Sequence, residues 1–289
     1  MRTNTSLLSD LTSRLAPISD TPALDASVLL AHLLNRPRTW VVAHPDLTLT
    51  DTQRIQLENA LKRLEEGEAL PYLLGHWEFF GLDFEINKHV LIPRPETELL
   101  VEKAIAKLNE IKGVKTAADV GTGSGVIAIS LAVHVPDVRI LATDISPKAL
   151  DVAKHNARKF GVEDRIEFME CDLLPEPAAI SSPANWVQSP LNLICANLPY
   201  IPTQTLHDLS VSKREPLLAL DGGEDGFKEI RGLMALAPSR LAPHGVLLLE
   251  IESTLGAQAC QLAREYFPNA QIQLHKDLSR RDRLLEIAT

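Results

Sequence analysis

The sequence predicts an α/β protein in which a parallel sheet is covered by helices on both faces, preceded by a small all-helical domain. Three observations carry this. The first 70 residues show apolar positions at helical spacing only. From Glu96 onward, continuous apolar runs of strand length alternate with helical stretches, the pattern of strands buried on both faces. One such run leads through a glycine-rich turn, Asp119-Val120-Gly121-Thr122-Gly123-Ser124-Gly125, straight into a helix.

Taken in order, the helical region holds Ser6 to Leu15, Asp25 to Leu34 and Thr50 to Glu66. In the second, Ala26, Leu29, Leu30, Leu33 and Leu34 recur at helical spacing, and Asn35, Arg36 and Pro37 stop it. The third opens on Thr50 or Asp51, carries Ile55, Leu57, Leu61 and Leu64, and ends at Gly67. Gly81 then separates Tyr72 to Phe80 from Leu82 to Ile86. There Leu82, Phe84 and Ile86 alternate with Asp83 and Glu85, which reads as a β-hairpin. The expected division is 1–74 helical, 75–95 hairpin linker and 96–289 α/β domain. Strands are predicted at Ala117 to Val120, Val138 to Thr143, Arg165 to Glu170, Leu191 to Ala196 and Gly245 to Glu250. Helices between them include Gly125 to His134 and Pro147 to Phe160, the latter capped by Ser146. Ile272 to His275 and Leu284 to Ala288 add two short strands, and Pro175 to Pro190 reads as a loop.

Composition narrows the function. With 289 residues, 45% apolar and 23% charged, the chain is globular and long enough for two cores. Its net charge of −9 opposes the phosphate attraction on which most nucleic-acid binders rely. Cys171, Cys195 and Cys260 are scattered and form no CxxC pair, so no disulfide framework or zinc knuckle is expected, and the histidines show no ligand spacing. No apolar run reaches the length of a membrane span and Met1 to Asp20 lacks a secretory core, so a cytoplasmic location is expected.

The residues that carry chemistry cluster at strand ends. Gly121, Gly123 and Gly125 let the backbone approach a ligand, and the helix that follows presents free N–H groups. Val126 stands where a dinucleotide fingerprint needs glycine, so a nicotinamide cofactor loses weight. Asp144 ends the next strand, placed to accept from both ribose hydroxyls, and Asp172, followed by Leu173, ends the one after. The fourth strand runs into Asn197-Leu198-Pro199-Tyr200. There an asparagine oxygen and the next carbonyl can accept both hydrogens of an NH₂ group, while a tyrosine ring can hold a planar group.

Asp119 to Gly125, Asp144 and Asn197 to Tyr200 resemble motifs of class I S-adenosylmethionine methyltransferases that modify planar nitrogens. Pro71-Tyr72-Leu73-Leu74-Gly75, Phe80-Gly81-Leu82 and Leu91-Ile92-Pro93-Arg94-Pro95-Glu96-Thr97-Glu98 are similar to the signature of the release factor glutamine methyltransferase (PrmC/HemK) family. The resemblance covers nearly the whole chain. It implies a Rossmann-like seven-stranded methyltransferase domain behind a helical substrate-docking domain and a hairpin linker. It implies S-adenosylmethionine as cofactor, held by Asp119, Gly121, Thr122, Gly123, Ser124, Gly125, Asp144, Asp172, Leu173 and Asn197. Asn197, Leu198, Pro199 and Tyr200 would be catalytic. The substrate would be the glutamine of the Gly-Gly-Gln loop of bacterial release factors, with no metal, no membrane and no stable nucleic-acid binding, and a monomer is the expected form.

The family usually shows Asn-Pro-Pro-Tyr, and Leu198 replaces the first proline. A leucine carbonyl can do the same work in a less rigid loop. Asn-Leu-Pro-Tyr also occurs in ribosomal RNA adenine dimethyltransferases, so the rival reading is an N6-adenine methyltransferase acting on RNA or DNA. A third is a nucleotide-binding module without catalysis. An extra domain before the core and the acidic charge oppose the rival, and an intact tetrapeptide opposes the module. Glu98 is expected to cap its helix, Arg94 to contact the substrate loop or cofactor side, and Trp77, Phe79 and Phe80 to pack in the hairpin. Arg280, Arg281 and Arg283 are expected in a solvated turn.

Overall fold

A computed structural model describes residues 6–177 and 184–289, so the loop expected at Pro175 to Pro190 lies partly outside the described residues, at 178–183. The chain divides into two compact units with the boundary between His76 and Trp77.

The first unit is helical: α1 (Leu7–Leu15), α2 (Pro22–Leu34), α3 (Arg38–Ala43), α4 (Asp51–Glu65) and α5 (Leu70–Leu74). Leu11, Leu15, Leu29, Leu30, Leu61 and Leu64 are buried along the predicted stripes. Thr50 is the cap of α4, its hydroxyl accepting from Gln53 N while the Gln53 side chain accepts from Thr50 N, a reciprocal capping box. The short α3 and α5 are too brief to show a period. Pro71 in the first turn and the left-handed Gly75 at the end define α5, so the stretch expected as strand from Tyr72 is helical until Leu74. The hairpin strand starts only at His76.

The hairpin pairs β1 (His76–Phe79) with β2 (Leu82–Glu85), and its residues from Trp77 on group with the second unit. That unit continues through α6 (Thr97–Glu110), β3 (Lys115–Val120), α7 (Val126–His134), β4 (Val138–Asp144), α8 (Pro147–Lys159), β5 (Ile166–Glu170) and β6 (Leu191–Ala196). It ends with α9 (Thr203–Leu206), α10 (Lys228–Arg240), β7 (Leu241–Glu250), α11 (Gly256–Tyr266), β8 (Gln271–Lys276) and β9 (Asp282–Ala288). Seven strands form one sheet in the order β5-β4-β3-β6-β7-β9-β8. The first five are parallel, and β9 runs antiparallel to both β7 and β8.

Strand order reverses at β3, which pairs with β4 on one side and β6 on the other. Val120 lies opposite both Thr143 and Ala196. Gly121, Asp144 and Asn197 therefore emerge side by side at the carboxyl edge, at the switch point where ligands of such sheets bind. Every residue of β3 is buried, as its apolar run requires.

One buried side chain fastens the hairpin to this edge. Asn156 of α8, fully buried, accepts from Glu85 N (2.8 Å) and donates to Glu85 O and Ser124 O (both 2.9 Å). It acts as a surrogate strand neighbour for β2 and also holds the glycine turn. Phe84, buried beside Phe160 at 5.1 Å between ring centroids, adds the apolar part of the joint. Glu98 does not cap its helix. Its Oε1 accepts from Phe80 N, because Phe80 sits at φ 52° in the turn, where its N–H needs an acceptor.

Replacing Asn156 by alanine leaves three backbone groups without their partner, the buried Ser124 carbonyl and the part-buried N–H and carbonyl of Glu85, so Asn156→Ala is expected to cost about 2 kcal/mol. Urea unfolding of the variant measures this, and an unchanged midpoint would show that the joint carries no stability.

Candidate functional site

The glycine turn is shaped from behind by Asp119. Its Oδ2 accepts from Thr122 Oγ1 (2.6 Å) and from Ala128 N (3.0 Å). Ala128 is the third residue of α7, whose cap position is Gly125, which has no side chain, so Asp119 supplies the missing cap acceptor from six residues upstream. Burial pushes the Asp119 carboxyl up to about 6, against the pull of Thr122 and the Ala128 amide. Its Oδ1 has no partner among the described residues.

In front of the turn lies a cavity of about 520 Å³, the size of a small-molecule site. Gly121, Thr122, Gly123, Ser124, Asp144, Asp172, Leu173, Asn197, Leu198 and Pro199 line it. Asp119, Gly125 and Tyr200 do not; they stand behind the wall. The cavity is also lined by Arg94, Thr97, Ile145 and Leu217.

Each wall residue is held by its neighbours. Asp144 Oδ2 accepts from Gly123 N (2.9 Å) and Oδ1 from Ser146 N (2.8 Å), which fixes the carboxylate and leaves lone pairs for hydroxyl donors. Burial raises its carboxyl above the ordinary range, opposed by those amides. Leu173 is at φ 60°, a strained conformation for a branched side chain, with its carbonyl held by Thr143 Oγ1 at 2.6 Å. Leu198 is buried and packs over Gly121, so side-chain burial anchors this position of the turn. Arg94 pairs with the buried Glu215, whose other oxygen accepts from Ile92 N.

Asn197 is oriented by a chain of hydrogen bonds. Thr97 Oγ1 donates to Glu250 Oε2 (2.7 Å), and Asn197 Nδ2 donates to Thr97 Oγ1 (3.0 Å). Thr97 has a single proton, so while it points at a carboxylate its oxygen can only accept from Asn197. Asn197 Oδ1 and the Leu198 carbonyl carry no bond among the described residues, which leaves two acceptors together. Behind them a Cβ at Gly222 would fall 2.7 Å from Tyr200 Cα, so only glycine lets that loop back onto Asn197 to Tyr200. Burial pushes the Tyr200 phenol up to about 12, with Glu250 adding to it.

Neither Glu250 nor the glycines of Asp221-Gly222-Gly223-Glu224-Asp225-Gly226 were marked by sequence reasoning. Glu250 ends a buried strand as Asp144 does, and three glycines in six residues are a visible signal. Thr97 sits in the Leu91 to Glu98 stretch, where nothing in its sequence neighbourhood signals its partnership with Glu250.

The wall fits a nucleoside. Gly123 sits at φ 57°, and a Cβ there would meet nothing within 4 Å, so the turn is an open cradle. Two carboxylates suit ribose hydroxyls, and Ile145, half exposed, offers an apolar plate for a planar base.

Residues 6–75 match the family model of the PrmC N-terminal domain, and residues 97–208 match that of ribosomal protein L11 methyltransferase (PrmA). The chain is 40% identical to a release factor glutamine methyltransferase of Moorella thermoacetica over 263 residues, 91% of this chain and 89% of that one. It is 36% identical to one of Nitratidesulfovibrio vulgaris over 269 residues, 92% and 88% of the two chains. The crystal structure of a methyltransferase from Pyrococcus furiosus shares the fold, with a TM-score of 0.52 at 16% identity, covering 80% of this chain and 98% of that one.

Asp144→Ala is expected to weaken S-adenosylmethionine binding by about 1.5 to 3 kcal/mol for each lost hydrogen bond to the charged acceptor. Calorimetry on the folded variant measures it, and unchanged affinity would remove Asp144 from the site.

Proposed function

The chain belongs to the release factor glutamine methyltransferase family, and on that premise we propose that it methylates the side-chain amide nitrogen of the glutamine in the Gly-Gly-Gln loop of bacterial release factors. One observation carries the assignment to this site. Asn197 Oδ1 and the Leu198 carbonyl are two free acceptors beside the glycine cradle, and an NH₂ group carries on one nitrogen the two donors that satisfy both.

The residues do three things in this reading. Gly121 to Ser124, Asp144, Asp172 and Leu173 hold the cofactor, with Asp119 setting the shape of the turn. S-adenosylmethionine, when bound, supplies an electrophilic methyl on a sulfonium. An amide nitrogen is a poor nucleophile because its lone pair is delocalised. Asn197 and the Leu198 carbonyl orient it and stabilise the positive charge that develops as it attacks. No strong base is needed first, since the N–H becomes acidic once the nitrogen is alkylated. Pro199 stiffens the turn and Tyr200 backs the amide plane.

Adenine N6 presents the same NH₂, but family membership and a net charge of −9 favour the protein substrate over RNA or DNA. The helical unit ahead of the hairpin is read as a substrate-docking domain, matching the family's N-terminal module. No helix among the described residues is long and apolar enough to cross a membrane. A monomeric, cytoplasmic enzyme without stable nucleic-acid binding completes the reading.

Peptide mass spectrometry of a release factor incubated with the protein and cofactor is expected to show one added methyl on the Gly-Gly-Gln glutamine, lost in Asn197→Ala. Methyl on adenine of ribosomal RNA with the peptide unmodified would replace this reading by its rival. A chain starting at Trp77 is expected to keep cofactor affinity and to methylate a full-length release factor slowly. Equal rates for the truncated and intact chains would show that the helical unit does not dock substrate.

A further inference from the structure

Two buried residues outside the tetrapeptide decide which end of the Asn197 amide meets the substrate. Thr97 and Glu250 are each about 2% exposed, and they lie 153 residues apart in sequence. The Thr97 hydroxyl has one proton and Glu250, when ionised, only accepts, so the proton goes to Glu250 and Asn197 must offer Nδ2 to Thr97. That arrangement puts Oδ1 at the cavity. Glu250 Oε1 has no partner among the described residues, so a proton on this carboxyl finds an acceptor only on the Thr97 side. Thr97 would then donate toward Asn197, and the amide would have to turn and present its own NH₂ to a substrate NH₂. Two donors would face each other.

We propose that Glu250 and Thr97 form a positioning relay which holds the Asn197 amide with its oxygen toward the substrate, and that methyl transfer requires Glu250 to be ionised. The inference rests on the glutamine methyltransferase reading of the site and names the groups that regulate it. The charged and titratable groups around Glu250 are Arg283 of β9, Arg94 and Glu96 just ahead of α6, and the Tyr200 phenol after β6. Burial dominates and pushes the carboxyl up to about 7. The Thr97 hydrogen bond and the two arginines pull it down, and Glu96 pushes it up. Burial outweighs the arginines, so this carboxyl changes charge close to neutral pH. The sign is set by which form is competent: the rate falls as pH drops through about 7. Asp119, near 6, titrates nearby, so the assignment to Glu250 needs its own variant.

The test uses the full chain. Thr97→Val keeps the shape and removes the hydroxyl. It is expected to lower kcat on the order of a hundredfold, as misplacement of a catalytic group does, with S-adenosylmethionine affinity by calorimetry retained as the check on folding. Thr97→Ser is expected to restore most of the loss. Glu250→Gln should flatten the pH–rate profile between 6 and 8. A second readout needs no substrate: the side-chain amide of Asn197, followed by nitrogen-15 NMR and assigned by its absence in Asn197→Ala, should shift with a midpoint near neutrality in the wild type and stay constant in Glu250→Gln. A wild-type kcat in Thr97→Val, or an Asn197 resonance that ignores pH, overturns the relay. If no release factor is methylated at any pH, the functional reading falls, and the Asn197 resonance still decides the relay.

Discussion

The register of β3 between β4 and β6 is the constraint from which the site follows. Because Val120 is level with Thr143 and Ala196, the next residues of three strands leave the sheet at one point. A slip of one residue would turn each buried strand over and scatter Gly121, Asp144 and Asn197 among faces and levels. The register is secured on both faces by continuous burial of β3 and at its end by Thr122 N donating to Thr143 O at 2.8 Å. Asp119 then converts a strand end into a helix start, capping α7 while bending the turn that faces the cavity.

What the edge does chemically depends on side chains whose orientation is set elsewhere. Asn197 supplies a free oxygen only because Thr97 takes its nitrogen, and Thr97 does so only because Glu250 takes its proton. The Leu198 carbonyl stays free because the segment is fixed by packing, with leucine over Gly121 and Gly222 against Tyr200, and not by its own backbone hydrogen bonds. Two adjacent acceptors are both satisfied by an NH₂, only one of them by a hydroxyl and neither by a carboxylate, which is how a small site discriminates among these groups. In the proposed reading, the choice between protein and nucleic acid falls outside the pocket, to the acidic surface and the helical unit.

The strands, the glycine turn, Asp144 and the tetrapeptide were legible in the sequence because each is local: an apolar run, a break and a polar residue within a few positions. The all-helical unit was legible for the same reason, apart from α3 and α5, too short to show a period. The residues that escaped act across long separations. Asn156 reads as one more polar position on an amphipathic helix, yet it is fully buried against a strand 71 residues earlier. Glu98 reads as a helix-dipole acid and instead holds the hairpin turn. Glu250 and Thr97 look like a strand end and a helix start, and their partnership exists only once the sheet has formed. Arg94 was expected near ligand and does line the cavity, but its partner Glu215 comes from a loop no local pattern ties to it.

The central claim, that this acceptor pair receives an amide NH₂ on a protein, is tested most directly by following where the methyl goes when nothing restricts the choice. The intact protein is incubated with methyl-labelled S-adenosylmethionine in a bacterial extract lacking its own release factor methylation, and label is measured separately in protein and in RNA. The account predicts label in protein, at the size of a release factor, and none above background in RNA. Label concentrated in RNA would contradict it.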